Sequence, residues 1–481
     1  MTAPREALLR PDRAGRVPPE RGASVADAAA RPVERPPPRP EPAESRTVPR
    51  EQIGQSAVKR LCRQKSETTL PRLSGRDPAT AKISPVRTVV VSDLHLGLRA
   101  GNDVARRPEL RARLVEIVRG ADRLVLLGDI LELRERSLDS AMAIARPLFE
   151  ELAGALGTGE MLLVPGNHDH AILAPLAASA GGAGALHSLE NRLRPAPDHP
   201  LARLARDLSP VRLEFAYPGV WLDRGVYATH GHYMDAHSPV PMIECLAIAI
   251  SARLRGGRPR PGSIPADYER VISPVYRLST RVGRGQAVGR GGAGDISIRL
   301  YERLMRRAPE GAAGDGVGAS EASGSPAPAA TRAAARERAD LGDRLLRAAV
   351  PLAVAGLNRL GLGPFDPDIS GHALRRAGLR AMAEVVTRLD IEADHVIFGH
   401  THRPGPLPHD LEEWTLPARG DRPPTRLVNT GSWVYAPLFL ATKPSDSPYW
   451  PGRCVVVEDG HPPELLHPLA DSGHEELARA R

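Results

Sequence analysis

A chain of 481 residues is long enough for one large domain with additions or for two ordinary ones. Hydrophobic residues make up 41% and aromatics only 4%, so the core has to be built mainly from Leu, Val, Ala and Ile. The formal charge of +8 invites a nucleic-acid reading, but residues 1–80 hold 16 basic and 10 acidic side chains, which leaves only about +2 for the rest and argues against a broad basic face.

Lysine occurs four times against 61 arginines, a coding bias that leaves a single arginine little functional meaning. The three cysteines, Cys62, Cys245 and Cys454, are far apart and odd in number. They exclude a disulfide framework and a zinc–thiolate site, and they fit a reducing compartment. The opening MTAPREALLRPDRAGR is too charged for a secretory apolar region, and no window of 18 uncharged apolar residues occurs. The expectation is a cytoplasmic protein with no transmembrane segment.

In chain order, residues 1–84 are rich in Pro, Arg and Glu, as in RPVERPPPRPEP, and read as a disordered tail. Order is expected from VRTVVV (86–91), a short β-branched run. Leu110, Leu114, Ile117 and Val118 then repeat at helical spacing. The strand RLVLL (123–127), a helix near 138–156 and the strand MLLV (161–164) follow, an alternation that predicts an α/β core. Further predicted strands are VRLEFAY (211–217), VYAT (226–229), HVIF (395–398), RLVNT (426–430) and CVVV (454–457). Two apolar stretches, 240–254 and 345–363, flank a low-complexity centre near 283–340 that reads as disordered. The expected organisation is therefore a tail (1–84), a first domain part (85–238), an insertion (239–370), a second domain part (371–465) and a C-terminal tail (466–481).

Five polar clusters each follow an apolar strand. VVVSDLHLG carries Asp93 and His95, LVLLGDILE carries Asp129 and Glu132, and LLVPGNHDH carries Asn167, His168 and Asp169. VYATHGHY carries His230 and His232, and HVIFGHTH carries His400 and His402. Singly, each has a plainer reading: an Asp after a strand caps the next helix, Gly-Asn makes a turn, and a His beside an apolar strand is a hydrogen-bonded core residue. Five strand ends that all carry Asp, His or Asn are hard to obtain from turn chemistry. In α/β sheets the strand C-termini form the ligand-binding crevice, so the clusters are expected to meet there and hold metal. Imidazole and carboxylate donors suit Mn, Fe and Zn.

This set resembles the calcineurin-like metallophosphoesterases. Their signature runs D-x-H, G-D-x-x-D/E/N, G-N-H-D/E, a strand-end His and G-H-x-H. Here it reads DLH (93–95), GDILE (128–132), GNHD (166–169), THGH (229–232) and GHTH (399–402), within residues 86–235 and 371–460. The resemblance implies a four-layer αββα sandwich carrying a long, partly disordered helical insertion. It also implies two divalent metal ions, with manganese the first expectation and iron or zinc the alternatives. One ion would take Asp93, His95 and His402, the other Asn167, His230 and His400, with Asp129 bridging. His168 would contact the phosphoryl group and assist the leaving oxygen, with Asp169 orienting it. The implied activity is hydrolysis of a phosphomonoester, phosphodiester or pyrophosphate by attack of a metal-bridging hydroxide.

The spelling SDLHLG, GNHD, THGHYMD and GHTHRPG is similar to a bacterial branch that includes UDP-2,3-diacylglucosamine pyrophosphatases. The chain departs from it at His168, where those enzymes typically carry Arg, and in the 169 residues that run from 231 to 399. The expected substrate is a small-molecule or lipid-linked phosphoester. The insertion is read as ordinary core-packed helices, with cap helices or peripheral membrane contact as alternatives. A nuclease of the same fold, favoured only by charge, and a non-enzymatic scaffold are the other functional readings. His170 and His237 are expected at the surface or in loops, and His232 either behind the fourth ligand, facing substrate, or structural. Arg403 reads as a phosphate contact or a solvated side chain, and Asn429 and Ser432 as braces of the site.

Overall fold

The computed structural model describes residues 86–285, 351–368, 370–440, 442 and 447–478. The expected N-terminal tail and most of the expected disordered centre of the insertion lie outside these residues. The short apolar runs form strands where predicted. β1 (Arg87–Val91), β2 (Arg123–Leu127) and β3 (Glu160–Val164) are parallel neighbours, with Val90 level with Val125 and Val125 with Leu162. Parallel neighbours need crossovers, supplied by α1 (Pro108–Val118) and α2 (Leu138–Leu156). Pro108 opens the first, and the Ser137 hydroxyl caps the second by accepting from Ser140 N at 3.3 Å.

Chain direction changes after α3 (Leu173–Ala177), β4 (Glu190–Leu193) and α4 (Pro200–Asp207). The predicted strand 211–217 is only the first half of β5 (Arg212–Asp223), which runs on through Pro218. Its first half pairs parallel with β3, and its second half pairs antiparallel with β6 (Val226–Thr229). One strand thus belongs to two sheets. The order is β11-β10-β1-β2-β3-β5-β6-β7-β9-β8, with β4 on β5, where β7 is His395–Phe398, β8 Thr415–Leu416, β9 Thr425–Asn429, β10 Cys454–Glu458 and β11 Glu464–Leu466.

Burial alternates along these strands and divides them into layers. Val90, Val125, Leu127, Leu162 and Val164 from the first sheet cluster with Val220, Ala228, Ile397 and Val428 from the second, and no helical residue joins them. The opposite faces, Val89, Leu124, Leu163 and Phe398 among them, cluster with helical residues such as Leu114, Phe149 and Met382. Helix, sheet, sheet and helix are therefore stacked in four layers.

The insertion contributes α5 (Ile243–Leu254), α6 (Pro265–Gly285) and the helical residues 351–359. Ile248, Ala252, Tyr268, Val271, Ile272 and Tyr276 join the main core, as ordinary packed helices do. Residues 283–285, placed by sequence in the disordered centre, end α6. The outer faces leave Leu254, Leu278, Leu352 and Leu360 exposed. Among the described residues no helix is long and apolar enough to cross a membrane. The expected C-terminal tail instead places Leu469 and Leu477 in the core.

Leu162 is fully buried between the sheets. Leu162→Ala is expected to cost about 2–5 kcal/mol. Urea unfolding checks this: the midpoint should fall while the slope, which reports exposed area, stays constant.

Candidate metal centre

The strand C-termini converge as the topology requires, because β1, β2 and β3 run together in one sheet and β6, β7 and β9 in the other. Past β1 the chain runs beside the loop after β2: Asp93 N donates to Gly128 O at 3.0 Å, His95 N to Asp129 O at 2.8 Å and Leu96 N to Ile130 O at 2.9 Å. Six non-glycine residues among those described have positive φ, and five of them are Asp93, Asp129, His95, His400 and His402. Left-handed backbone costs an L-residue roughly 1–2 kcal/mol, so five such residues carry strain comparable with the net stability of a domain. Strain of that size persists only where the surroundings over-determine it.

Glycines make the room. A methyl group on Gly399 would overlap Ser92 Oγ and Asp93 Oδ2, and one on Gly166 would overlap Asp129 Oδ1 and lie 2.7 Å from the His230 ring. The motif glycines thus admit the ligand-bearing side chains of neighbouring motifs.

Three groups bring their donor atoms within 4.8 Å of one another: Asp93, His95 and His402; His95, Asp129 and His168; and Asp129, His230 and His400. His95 Nε2 lies 3.0 Å from His402 Nε2, and Asp93 Oδ1 lies 3.2 Å from His402 Nε2. Asp129 Oδ2 stands between the halves, 3.7 Å from His95 Nε2 and 3.3 Å from His230 Nε2. Asn167 Oδ1 is 3.1 Å from His230 Nε2 and 3.0 Å from His400 Nδ1. The seven predicted ligands are all brought together.

Three of the four imidazoles are anchored through the nitrogen turned away from this cluster. His95 Nδ1 donates to Glu132 Oε2 at 3.2 Å, His230 Nδ1 to Leu127 O at 2.9 Å and His400 Nε2 to Asp235 Oδ1 at 2.8 Å. Such anchors fix the tautomer and leave the other nitrogen's lone pair for a metal. Two observations test the fit. Asp93 Oδ1 is buried and makes no hydrogen bond. Asn167 holds its oxygen among acceptors; turned over, the amide would donate to His230, His400 and Asp129 and accept from Arg134 Nη2 at 2.7 Å. The inward oxygen would offer a donor atom to a cation, and the turned amide would not. The nitrogen and oxygen donors, with no thiolate, fit divalent cations.

Charge argues the same way. Burial opposes a proton on His95, but the Glu132 hydrogen bond and the Asp129 charge raise its pKa to about 9. Burial likewise opposes charge on His230, and Asp129 raises it to about 10. Burial disfavours the Asp129 carboxylate, yet His230 and His168 hold its pKa well below the ordinary carboxylate range. The carboxylates demand positive charge, and without a cation protons supply it.

The His168 ring is held by Glu132 and not by Asp169. The Asp169 carboxylate is buried against backbone, accepting from Gly166 N at 2.6 Å and Ile130 N at 2.9 Å, whereas Glu132 Oε2 accepts from His168 Nδ1 at 2.7 Å. The acidic end of GDILE was the available signal. Asp235 was passed over in THGHYMD, and Arg134 was hidden by the abundance of arginine. His170, expected at the surface or in a loop, is buried at the start of a short 3-10 turn and donates to Glu269 Oε2 at 2.9 Å. His237 is half-buried against Tyr268 Oη at 2.8 Å. Arg403 is neither solvated nor free for phosphate, being buried on Asp410 Oδ2 at 2.6 Å. His232 is structural, its Nε2 2.8 Å from Tyr217 Oη. Asn429 braces the last motif by donating to Gly399 O at 2.7 Å.

No protein-family model matches this chain, and no curated protein matches it. Among solved structures it is similar to a dimetal phosphatase from Danio rerio, with 12% identity over 80% of this chain and 99% of that one and a TM-score of 0.26. So loose an overlay transfers no chemistry, and the centre is read from its own side chains.

Because His95 and His230 hold protons up to about pH 9 and 10 respectively, a cation entering near neutrality has to expel them. Affinity for Mn²⁺ should therefore rise from pH 6 to pH 8. Calorimetry in two buffers of different ionisation enthalpy should register proton release, and equal heats in both would contradict this charge assignment.

Proposed function

We propose that this chain is a calcineurin-like metallophosphoesterase that holds two divalent cations and hydrolyses a phosphomonoester, phosphodiester or pyrophosphate bond. The observation that carries this reading is the Asp129 carboxylate standing between two ligand sets, Asp93, His95 and His402 on one side and Asn167, His230 and His400 on the other. Manganese is the proposed metal, with iron or zinc as alternatives that the same donors would accept. When bound, the ions supply Lewis acidity toward phosphoryl oxygens and the attacking water.

The chain's own part is positioning and proton transfer. Glu132 holds the rings of His95 and His168 through one oxygen, so loss of that carboxylate would loosen both. His168 is 25% exposed and its Nε2 makes no hydrogen bond among the described residues, which supports a role beside the phosphoryl group. From there it would hand a proton to the leaving oxygen. Asp169 would act on the same histidine indirectly, by holding the backbone at Gly166 and Ile130. For substrate we propose a small-molecule or lipid-linked phosphoester. The motif spelling shared with the diacylglucosamine pyrophosphatase branch and the leucines exposed on the insertion support it.

The test is hydrolysis of p-nitrophenyl phosphate and bis-p-nitrophenyl phosphate by protein stripped of metal and refilled with Mn²⁺ or Zn²⁺. Turnover should depend on metal, and Asp129→Asn and His400→Ala should nearly abolish it. His168→Ala should lower kcat by about 10²–10⁴-fold with metal content kept. Turnover that survives stripping, or full occupancy by two ions without Asp129 or His400, would refute the assignment.

A further inference from the structure

The two halves of the centre are braced by different parts of the chain. Around Asp93 and His95 the supports come from core strand ends: Ser92 Oγ lies against Asp93 Oδ2 and 2.5 Å from Thr430 Oγ1, and Glu132 holds His95. Around His400 and Asn167 they come partly from the insertion. Tyr276, fully buried on α6, donates from Oη to Asp235 Oδ2 at 2.8 Å, and the other oxygen of Asp235 accepts from His400 Nε2 at 2.8 Å. Glu244, on α5, pairs with Arg134 at 2.6 Å, which places the guanidinium 5.7 Å from the Tyr276 ring centre and against the Asn167 amide.

We propose that the insertion helices set the occupancy of the His230–His400–Asn167 half alone, through two contacts of opposite sign, and that Tyr276 is its positioning residue. This rests on the dinuclear reading above. Tyr276 favours the ion. Its hydroxyl fixes the Asp235 carboxylate, which accepts a hydrogen bond from His400 Nε2–H and so leaves the Nδ1 lone pair facing Asn167 Oδ1 at 3.0 Å. Without the hydroxyl, a buried oxygen of Asp235 loses its donor and the ring its fixed tautomer. Arg134 opposes the ion. With Asn167 Oδ1 inward, the amide nitrogen meets Arg134 Nη2, two donors with nothing between them, while the turned amide accepts from that nitrogen at 2.7 Å and closes the half to metal. The guanidinium charge repels a dication as well.

Full-length protein titrated with Mn²⁺ by calorimetry and electron paramagnetic resonance tests this without substrate. Wild type should take two ions and show a spin-coupled pair. Tyr276→Phe should weaken one ion about 10–100-fold and leave the other unchanged, replacing the coupled signal by that of isolated ions at equal loading. Asp235→Ala, acting on the same ring, should give the same selective loss. Arg134→Met should tighten that same ion. In a His400→Ala background, Tyr276→Phe should have no further effect on the ion that remains. A metal-free Tyr276→Phe protein that still melts cooperatively, lowered by no more than one lost buried hydrogen bond, separates positioning from loss of the fold. The proposal fails if Tyr276→Phe weakens both ions equally or neither, or if Arg134→Met weakens binding. Wild type that takes fewer than two ions would instead remove the dinuclear reading itself.

Discussion

Holding carboxylate oxygens and imidazole lone pairs a few ångström apart in a buried place is unfavourable in the absence of a cation, since like groups repel and desolvated charges need partners. Most of the surrounding structure follows from that constraint. Asp93 and Asp129 are almost wholly buried, and five of the ligand residues sit in left-handed backbone. Neither burial nor strain of this kind would survive if each ligand were not tied to a neighbouring strand end: His400 N donates to Asp93 Oδ2 at 3.0 Å, and His168 N to Asp129 Oδ1 at 2.7 Å. The ties run between motifs far apart in sequence, so no single strand end could hold its conformation alone.

The second consequence is a shell of anchored polar groups around the ligands. Asp235 and the Leu127 carbonyl each hold one imidazole by the nitrogen turned away from the centre, and Glu132 holds two, those of His95 and His168. Beyond them a buried network passes into the insertion: Tyr276 bonds Asp235, Tyr217 and Ser273 donate to Glu269, and His170 does so from the other side. Buried polar networks are rigid when fully satisfied. Here the network makes α6 a wall of the centre, which explains why so polar a helix face, Glu269 and Ser273 among aromatic residues, is found in the interior.

Much of the fold and centre was legible because short apolar strands are local events. VRTVVV, RLVLL, VYAT and HVIF each declare themselves by β-branched and aliphatic content, and each is followed at once by its ligand. What was not legible depends on partners distant in the chain. The passage of β5 through Pro218 needs β4 and β6 to pair with it, and no local pattern announces β4 or the continuation of β5. The burial of His170 and Arg403 depends on Glu269 and Asp410, and the half-burial of His237 on Tyr268. The contact to His168 has the same origin: the family resemblance pointed to Asp169, but backbone amides claim its carboxylate, and a neighbouring strand end brings Glu132 to the ring.

The sequence by itself therefore determined the alternating α/β elements and the strand-end placement of seven candidate nitrogen and oxygen ligands, since these follow from hydrophobic periodicity and residue chemistry over a few positions. Tertiary structure alone decided that the candidate ligands gather on either side of Asp129, which carboxylate meets which imidazole, and that α6 reaches His400 through Tyr276 and Asp235. Those are matters of distance between residues as far apart in the chain as Asp93 and His402 or Asp235 and His400. They exist only once two sheets stack and bring their strand ends to a common edge.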